Sequence, residues 1–312
     1  MDEQLDAPLS ADDPVMEFLE GIRELMFRDE PPGPVEMRAE VERLLAARPA
    51  PPRDISVTAA AQAQALADLA WEAGEEGAEM ALDALRLDAN CVDAFVYLGY
   101  DAGNETQLAI LFFTLGMMAG ADALGPEMFD RHAGEFYTIP ETRPFLRAME
   151  GVGHAALAVG AVEAATEYFE EMLRLDAEDH MDVRYALLAI ALVSDNREMA
   201  DALFATYEGD SPVWHYGHAL HAFRVHGDRP LARRWLREAL DQNPHVPGYV
   251  LGEKPTPDDL AEEPETGSDE EAMMCAADVA PLWHVTADAL GWLRAGAEAQ
   301  RTGRRHWFAG LE

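Results

Sequence analysis

Apolar residues recur at three- and four-residue intervals along almost the whole chain, and strand-like alternation is nearly absent. That period gathers the apolar side chains into one stripe of a helix, so the pattern predicts an all-α protein. VMEFLEGIRELMF (15–27) and PVEMRAEVERLLA (34–46) read as amphipathic helices. Each is entered through a proline, whose missing N–H is not needed in a first turn. PPGP (31–34) turns the chain between them. ARPAPPRD (47–54) reads as a stiff linker, because consecutive prolines favour extended backbone.

From about residue 57 the predicted helices come in pairs. Their step of about 34 residues is the tetratricopeptide period. In that repeat, small residues at positions 8 and 20 face each other across a helical hairpin. A bulky residue at 24 and a small one at 27 complete the seam, and a proline at 32 ends the second helix. Residues 146–179 fit, with Gly153 at position 8, Gly160 at the turn, Ala165 at 20 and Phe169 at 24. Residues 181–212 follow with Ala200 and Phe204. Residues 213–246 follow with Gly227 at the turn, then Ala232, Ala239 and Pro244. Upstream, Leu98-Gly99 matches positions 7 and 8, and ALRLDAN (84–90) closes an earlier pair.

One interval is too long by roughly twenty residues, a surplus on the scale of a short inserted element. It falls in GPEMFDRHAGEFYTIPE (125–141), which reads as an insertion. Thr142 then has the residue type of an N-cap and Pro144 that of a first turn. Gly151 and Gly153 let a partner helix come close. The most apolar stretch, LAILFFTLGMMAGADAL, is broken by glycine and ended by aspartate, so it reads as a buried helix and not a membrane span. DDLAEEPETGSDEE (258–271) carries eight acids and no base, the composition of a solvated loop. The residues after it predict helices that cap the end of a solenoid.

Charge adds a separate constraint. The 312 residues hold 59 Asp and Glu against 23 Lys and Arg, a net charge of −36, and Lys254 is the one lysine. Such a surface repels nucleic acid and anionic membranes. It leaves a basic protein partner, nucleic-acid mimicry, or adaptation to a high-salt cytoplasm. The scarcity of lysine favours the last, since a bias spread over the chain needs no partner. Two distant cysteines, Cys91 and Cys275, form no CxxC pair, and the acidic N-terminus lacks the basic region of a secretory signal. A reducing cytoplasm fits these features.

ETRPFLRAMEGVGHAA, EYFEEMLRLDAEDHMDVRYALL and NPHVPGYVLG resemble a group of bacterial tetratricopeptide-like proteins. That group shares an Asn-Pro-His-Val-Pro element with the suppressor-of-tumorigenicity-seven family. The similarity covers roughly 57–295 and is specific at 141–148 and 243–250. This chain departs from the group at Asp176–His180, where the pattern has Asn-Pro-Asn-Asp-Asn, and near Ala156, where it has an aromatic. The resemblance implies an α-helical repeat protein and brings no enzymatic activity with it.

Three sets of residues are candidates for chemistry. His215, His218, His221 and His226 are spaced so that the first three share an arc of one helix, and two of them suit a metal. No acid in the same turns completes such a site, and HExxH is absent. Glu141, Arg143, Glu150 and His154 form a second set, without a nucleophile or phosphate loop beside it. The third set is a groove. In a tetratricopeptide superhelix, four positions of each first helix line the concave face. Here they are Arg147, Glu150, His154 and Leu157; then Asp182, Tyr185, Ala189 and Leu192; then Trp214, Gly217, His221 and Arg224. On so acidic a chain this face is distinctive. Arg147 and Arg224 suit a partner's carboxylate, and Tyr185 and Trp214 suit apolar anchors.

The expected architecture is a tetratricopeptide-like α-α superhelix. It has an N-terminal helical extension and linker (1–55), a repeat domain (56–257, insertion near 120–141), an acidic loop (258–271) and capping helices (272–312). The expected function is a non-catalytic cytoplasmic scaffold binding a protein or peptide ligand, with no cofactor, metal, nucleic acid or membrane. The groove residues expected to carry it are Arg147, Glu150, His154, Tyr185, Trp214, His221 and Arg224. The alternatives are a metal-dependent enzyme using the 215–226 histidines and an acidic chaperone for a basic partner.

Overall fold

The computed structural model describes residues 14–255, 264–304 and 307–308. Among them it is all-helical, with no β-strand and one isolated bridge between Glu135 and Asp176. The chain divides into two compact units, 1–183 and 184–312.

The first unit holds α1 (Pro14–Met26), α2 (Pro34–Ala47), α3 (Ala59–Ala70), α4 (Gly77–Leu87), α5 (Val92–Asp101), α6 (Thr106–Leu124), α7 (Pro126–Arg131), α8 (Arg143–Ala158) and α9 (Val162–Leu175). Three hairpins, α3–α4, α5–α6 and α8–α9, follow one another. Their first helices pack in succession, α3 on α5 and α5 on α8, while α4 packs on α5 and α6 on α8. Both amphipathic helices predicted at the N-terminus form. Phe18, Ile22 and Leu25 of α1 and Met37, Val41 and Leu45 of α2 enter the same hydrophobic cluster as α3–α6. The helices of the N-terminal segment therefore share a core with α3–α6. Burial of each such side chain is worth about 1.5–3 kcal/mol, which gives these two helices a reason to dock. The helix α6 has the length and apolarity of a membrane span. It packs against α2, α5 and α8, with Phe112, Leu115 and Ala119 buried.

Small residues set how closely the helices approach. The Phe113 ring of α6 occupies the space that side chains at Gly99 and Gly151 need: a Cβ would sit 2.5 Å from the ring at Gly99 and 2.4 Å at Gly151. Gly153 meets the ring of Phe169 on α9, at 2.6 Å from a Cβ. The spacing rule had set Ala165 opposite Gly153. Ala165 is buried on α9 as expected, but the bulky Phe169 fills the gap. Gly160, at φ +76°, makes the turn between α8 and α9, a conformation glycine adopts without steric cost.

The insertion is a packed element. It contains α7 and two 3₁₀ turns, and its Phe129 and Phe136 rings pack against each other and against Phe145 of α8. Gly134 donates to Leu175 O at 2.9 Å, and Ala177 donates to Gly134 O at 3.1 Å, which pins the loop to the end of α9. Thr142 sits at the start of α8 but does not cap it. Its hydroxyl donates backward, to Ile139 O at 2.8 Å and to Phe136 O, because its backbone is already helical. An N-cap needs an extended backbone to aim its oxygen at the next N–H groups.

The second unit holds α10 (Arg184–Val193), α11 (Arg197–Thr206), α12 (Pro212–His226), α13 (Pro230–Gln242), α14 (Val246–Val250), α15 (Asp269–Val285) and α16 (Ala289–Arg301). The first helices α10, α12 and α15 again pack in succession, and α13 packs on α16. Asp195, at φ +52°, stands in the α10–α11 turn where the neighbouring turn has Gly227. The Asn-Pro-His-Val-Pro element is structural. Asn243 is fully buried, and its amide donates to Ser268 O at 2.9 Å and to Glu271 at 2.8 Å. Its side-chain oxygen accepts from His245 N, and its carbonyl accepts from Tyr216 Oη at 2.7 Å. One residue thus joins α12, the end of α13 and the start of α15.

The acidic segment expected as a loop over 258–271 lies partly outside the described residues. Its last acids belong to a helix. Ser268 caps α15 by accepting from Glu271 N, and Asp269, Glu270 and Glu271 occupy the first turn, where the helix dipole favours negative charge.

Candidate functional site

The groove residues predicted on first helices divide into those that are engaged internally and those that are not. Arg147 is engaged. Its Nε and Nη2 donate to Asp93 Oδ1 at 3.0 and 2.7 Å, and the other oxygen of this buried carboxylate accepts from Gln64 Nε2 at 2.8 Å. Gln64, Asp93 and Arg147 lie on α3, α5 and α8, so the network links three successive first helices of the first unit. Arg147 therefore spends two of its donors inside the fold, while 43% of its side chain stays exposed.

In the second unit three assignments are corrected. Trp214 is 3% exposed, enclosed by Tyr185, Phe204 and the backbone of Gly209, and offers no surface to a partner. His221 is 6% exposed, with its Nε2 2.7 Å from Asp201 Oδ1. Arg224 donates to Leu192 O at 2.6 Å, to Leu282 O at 3.3 Å and to Thr286 Oγ1 at 3.0 Å. Its guanidinium bonds carbonyls near the C-terminal ends of α10 and α15, where unpaired carbonyls favour a cation. Burial pulls its pKa below the usual guanidinium value. Tyr185 is half-buried, and its hydroxyl donates to Asp210 at 3.2 Å.

The histidines at 215–226 do not converge. His218 is sandwiched between the rings of Phe204 (3.9 Å) and Trp235 (3.7 Å), and burial drops its pKa to about 3. It belongs to the packing seam between α11, α12 and α13. His221 is committed to Asp201, and His226 is exposed at the end of α12. Among the described residues no three His, Cys, Asp or Glu side chains are grouped to hold a metal ion. The set at 141–154 is also dispersed. Arg143 donates to Tyr137 O and lies over the Tyr137 ring, whose plane stacks on His180. Glu141 is exposed, and Glu150 and His154 stand 4.0 Å apart further along α8.

A different surface emerges in the first unit. Trp71, at the end of α3, is 53% exposed, and Tyr100, in the last turn of α5, is 51% exposed. Their rings lie 5.7 Å apart, and both rest on buried aromatics: Trp71 on Tyr97 (5.1 Å) and Tyr100 on Phe113 (5.1 Å). Two carboxylates border the pair. Asp101 accepts a hydrogen bond from the Tyr97 hydroxyl, and burial, then the charge of Glu150 on α8, raises the pKa of the Tyr100 hydroxyl. Burial pushes both carboxyls above the usual carboxylate range, with Asp179 adding to the rise at Glu150 and Arg147 opposing it. Burial lowers the pKa of His154, next to Glu150, which keeps its ring neutral at pH 7. Neither Asp101 nor Glu150 forms an ion pair with an arginine or lysine among the described residues. The sequence predicted Glu150 and His154 on this face but not Trp71 or Tyr100, which lie in earlier hairpins whose register was not counted. An aromatic at the very end of a helix was the available signal.

No protein-family model matches the sequence, and no curated protein matches it.

Proposed function

We propose that this chain is a non-catalytic interaction protein of the cytoplasm, built from tetratricopeptide-like hairpins, that binds a segment of another protein on the first-helix face of its first unit. The superhelical arrangement and the kinship with the bacterial tetratricopeptide-like group are part of this proposal. Its supports are the packing order of first and second helices, the turn residues and the glycine seams. The observation that carries the functional reading is the exposed Trp71–Tyr100 pair, mounted on a rigid aromatic layer. Tryptophan and tyrosine are favoured as interface anchors because they offer large apolar area at little conformational cost.

The test is selection of a displayed peptide library on the full chain, followed by rebinding to Trp71→Ala/Tyr100→Ala. The reading expects selected peptides to lose on the order of tenfold or more in affinity, as for anchor residues, while the melting temperature stays close to wild type. Peptides that bind the double variant unchanged would place recognition elsewhere.

A further inference from the structure

We infer that the occupant of the Trp71–Tyr100 surface is a cationic side chain, arginine or lysine, carried by a basic segment of a partner protein. This rests on the interaction reading above and assigns its ligand class. The aromatic faces supply one half of the recognition. A cation over the face of Trp or Tyr is attracted by the ring quadrupole, and most strongly where water is partly excluded. The two rings, with centroids 5.7 Å apart and planes tilted by 60°, touch and present one continuous aromatic surface.

The carboxylates supply the other half. The Arg147 guanidinium, which acts on Glu150, is already held by Asp93 at 2.7 Å. Asp101 and Glu150 are left without a cation. Glu150, with its side chain largely buried and no arginine or lysine ion-paired to it, bears a desolvation cost that a bound cation would offset, while Asp101, exposed and hydrogen-bonded by the Tyr97 hydroxyl, adds negative charge beside it. The raised pKa of Glu150, caused by its burial, is consistent with this demand. An acidic ligand is disfavoured twice, by the local carboxylates and by the net charge of −36. The same net charge steers a basic partner toward the molecule, but a bulk field does not choose a site. The aromatic pair does.

Two labelled dodecapeptides test this by fluorescence anisotropy. They are identical except that three arginines in one are citrullines, the neutral isostere, in the other. Each is titrated into the full chain, into Trp71→Ala, into Asp101→Asn/Glu150→Gln, and into Glu163→Gln/Glu170→Gln, which removes the same charge from exposed positions of α9. The inference expects the arginine peptide to bind and the citrulline peptide to bind on the order of tenfold more weakly. It expects Trp71→Ala and Asp101→Asn/Glu150→Gln each to weaken the arginine peptide about tenfold, with the α9 control near wild type. An α9 control that loses as much as the site variant overturns the inference in favour of bulk charge. Equal, Trp71-dependent binding of both peptides overturns the cation and leaves the aromatic interaction surface standing. Binding of neither peptide that depends on Trp71 removes both readings.

Discussion

Arg147 on α8 is tied through two hydrogen bonds, 2.7 and 3.0 Å, to one oxygen of the buried Asp93 on α5. The bond gives the arginine a structural task. Arg147→Ala leaves a buried carboxylate with the Gln64 amide as its side-chain donor, and a buried acceptor stripped of a donor costs on the order of 1–3 kcal/mol. Chemical denaturation should show a loss of that size, and Asp93→Asn in the same background should recover part of it. A stability equal to wild type would mean the pair contributes nothing.

Gly153→Leu should be strongly destabilising, because the new side chain drives into Phe169, where a Cβ alone would stand 2.6 Å from the ring. Overpacking of this kind costs about 1–3 kcal/mol or more. Phe169→Ala is costly on its own, yet combined with Gly153→Leu it should be less destabilising than the sum of the two. Simple additivity in thermal denaturation would show that the two positions do not meet.

Arg224→Ala should lower stability by removing donors from carbonyls near two helix ends, Leu192 and Leu282. A loss on the order of 1–3 kcal/mol is expected. Arg237, exposed and paired with Asp241 at 3.7 Å, should cost under about 1 kcal/mol when changed to alanine. Equal melting temperatures for the two variants would remove the clamp from the account.

His218 makes stability depend on pH. Its folded pKa is about 3, below the value near 6.5 of an unfolded histidine. Between these values the unfolded chain binds the proton and the folded chain does not. Stability is therefore full above pH 6.5 and falls as the pH drops toward 3, by up to roughly 1.4 kcal/mol per pH unit. His154 and His215, whose pKa values burial also lowers, act in the same direction. His218→Gln should flatten the stability profile between pH 6.5 and 5, measured by urea midpoints. A slope that survives the substitution intact would assign it to other groups.

Salt should raise the melting temperature. With 59 acids against 23 bases, self-repulsion outweighs the exposed ion pairs, each worth about 0–1 kcal/mol. Raising the ionic strength shortens the screening length from about 30 Å at 0.01 M to about 3 Å at 1 M. A melting temperature indifferent to salt would shift the origin of the acidity from salt adaptation to a basic partner.

The sequence alone determined the helical class, the pairing of helices and the turn positions, because these follow from local period, from glycine at the turns and from small residues at the seams. VMEFLEGIRELMF and PVEMRAEVERLLA show this at the N-terminus, and Gly160 and Gly227 at the turns. The seam glycines were legible too, although the partner of Gly153 was set one turn from the ring that fills the space. Which groove residues are free was decided by tertiary structure. Position counting sees the direction of a side chain on its own helix. It cannot see Asp93 arriving beside Arg147 from α5, Asp201 beside His221 from α11, or Leu282 O beside Arg224 from α15. Each of those partners is distant in sequence, and each converts an apparent binding residue into a fastening. The exposed pair went unseen for the same reason. Trp71 and Tyr100 are 29 positions apart, and only the packing of α3 on α5 makes them one surface.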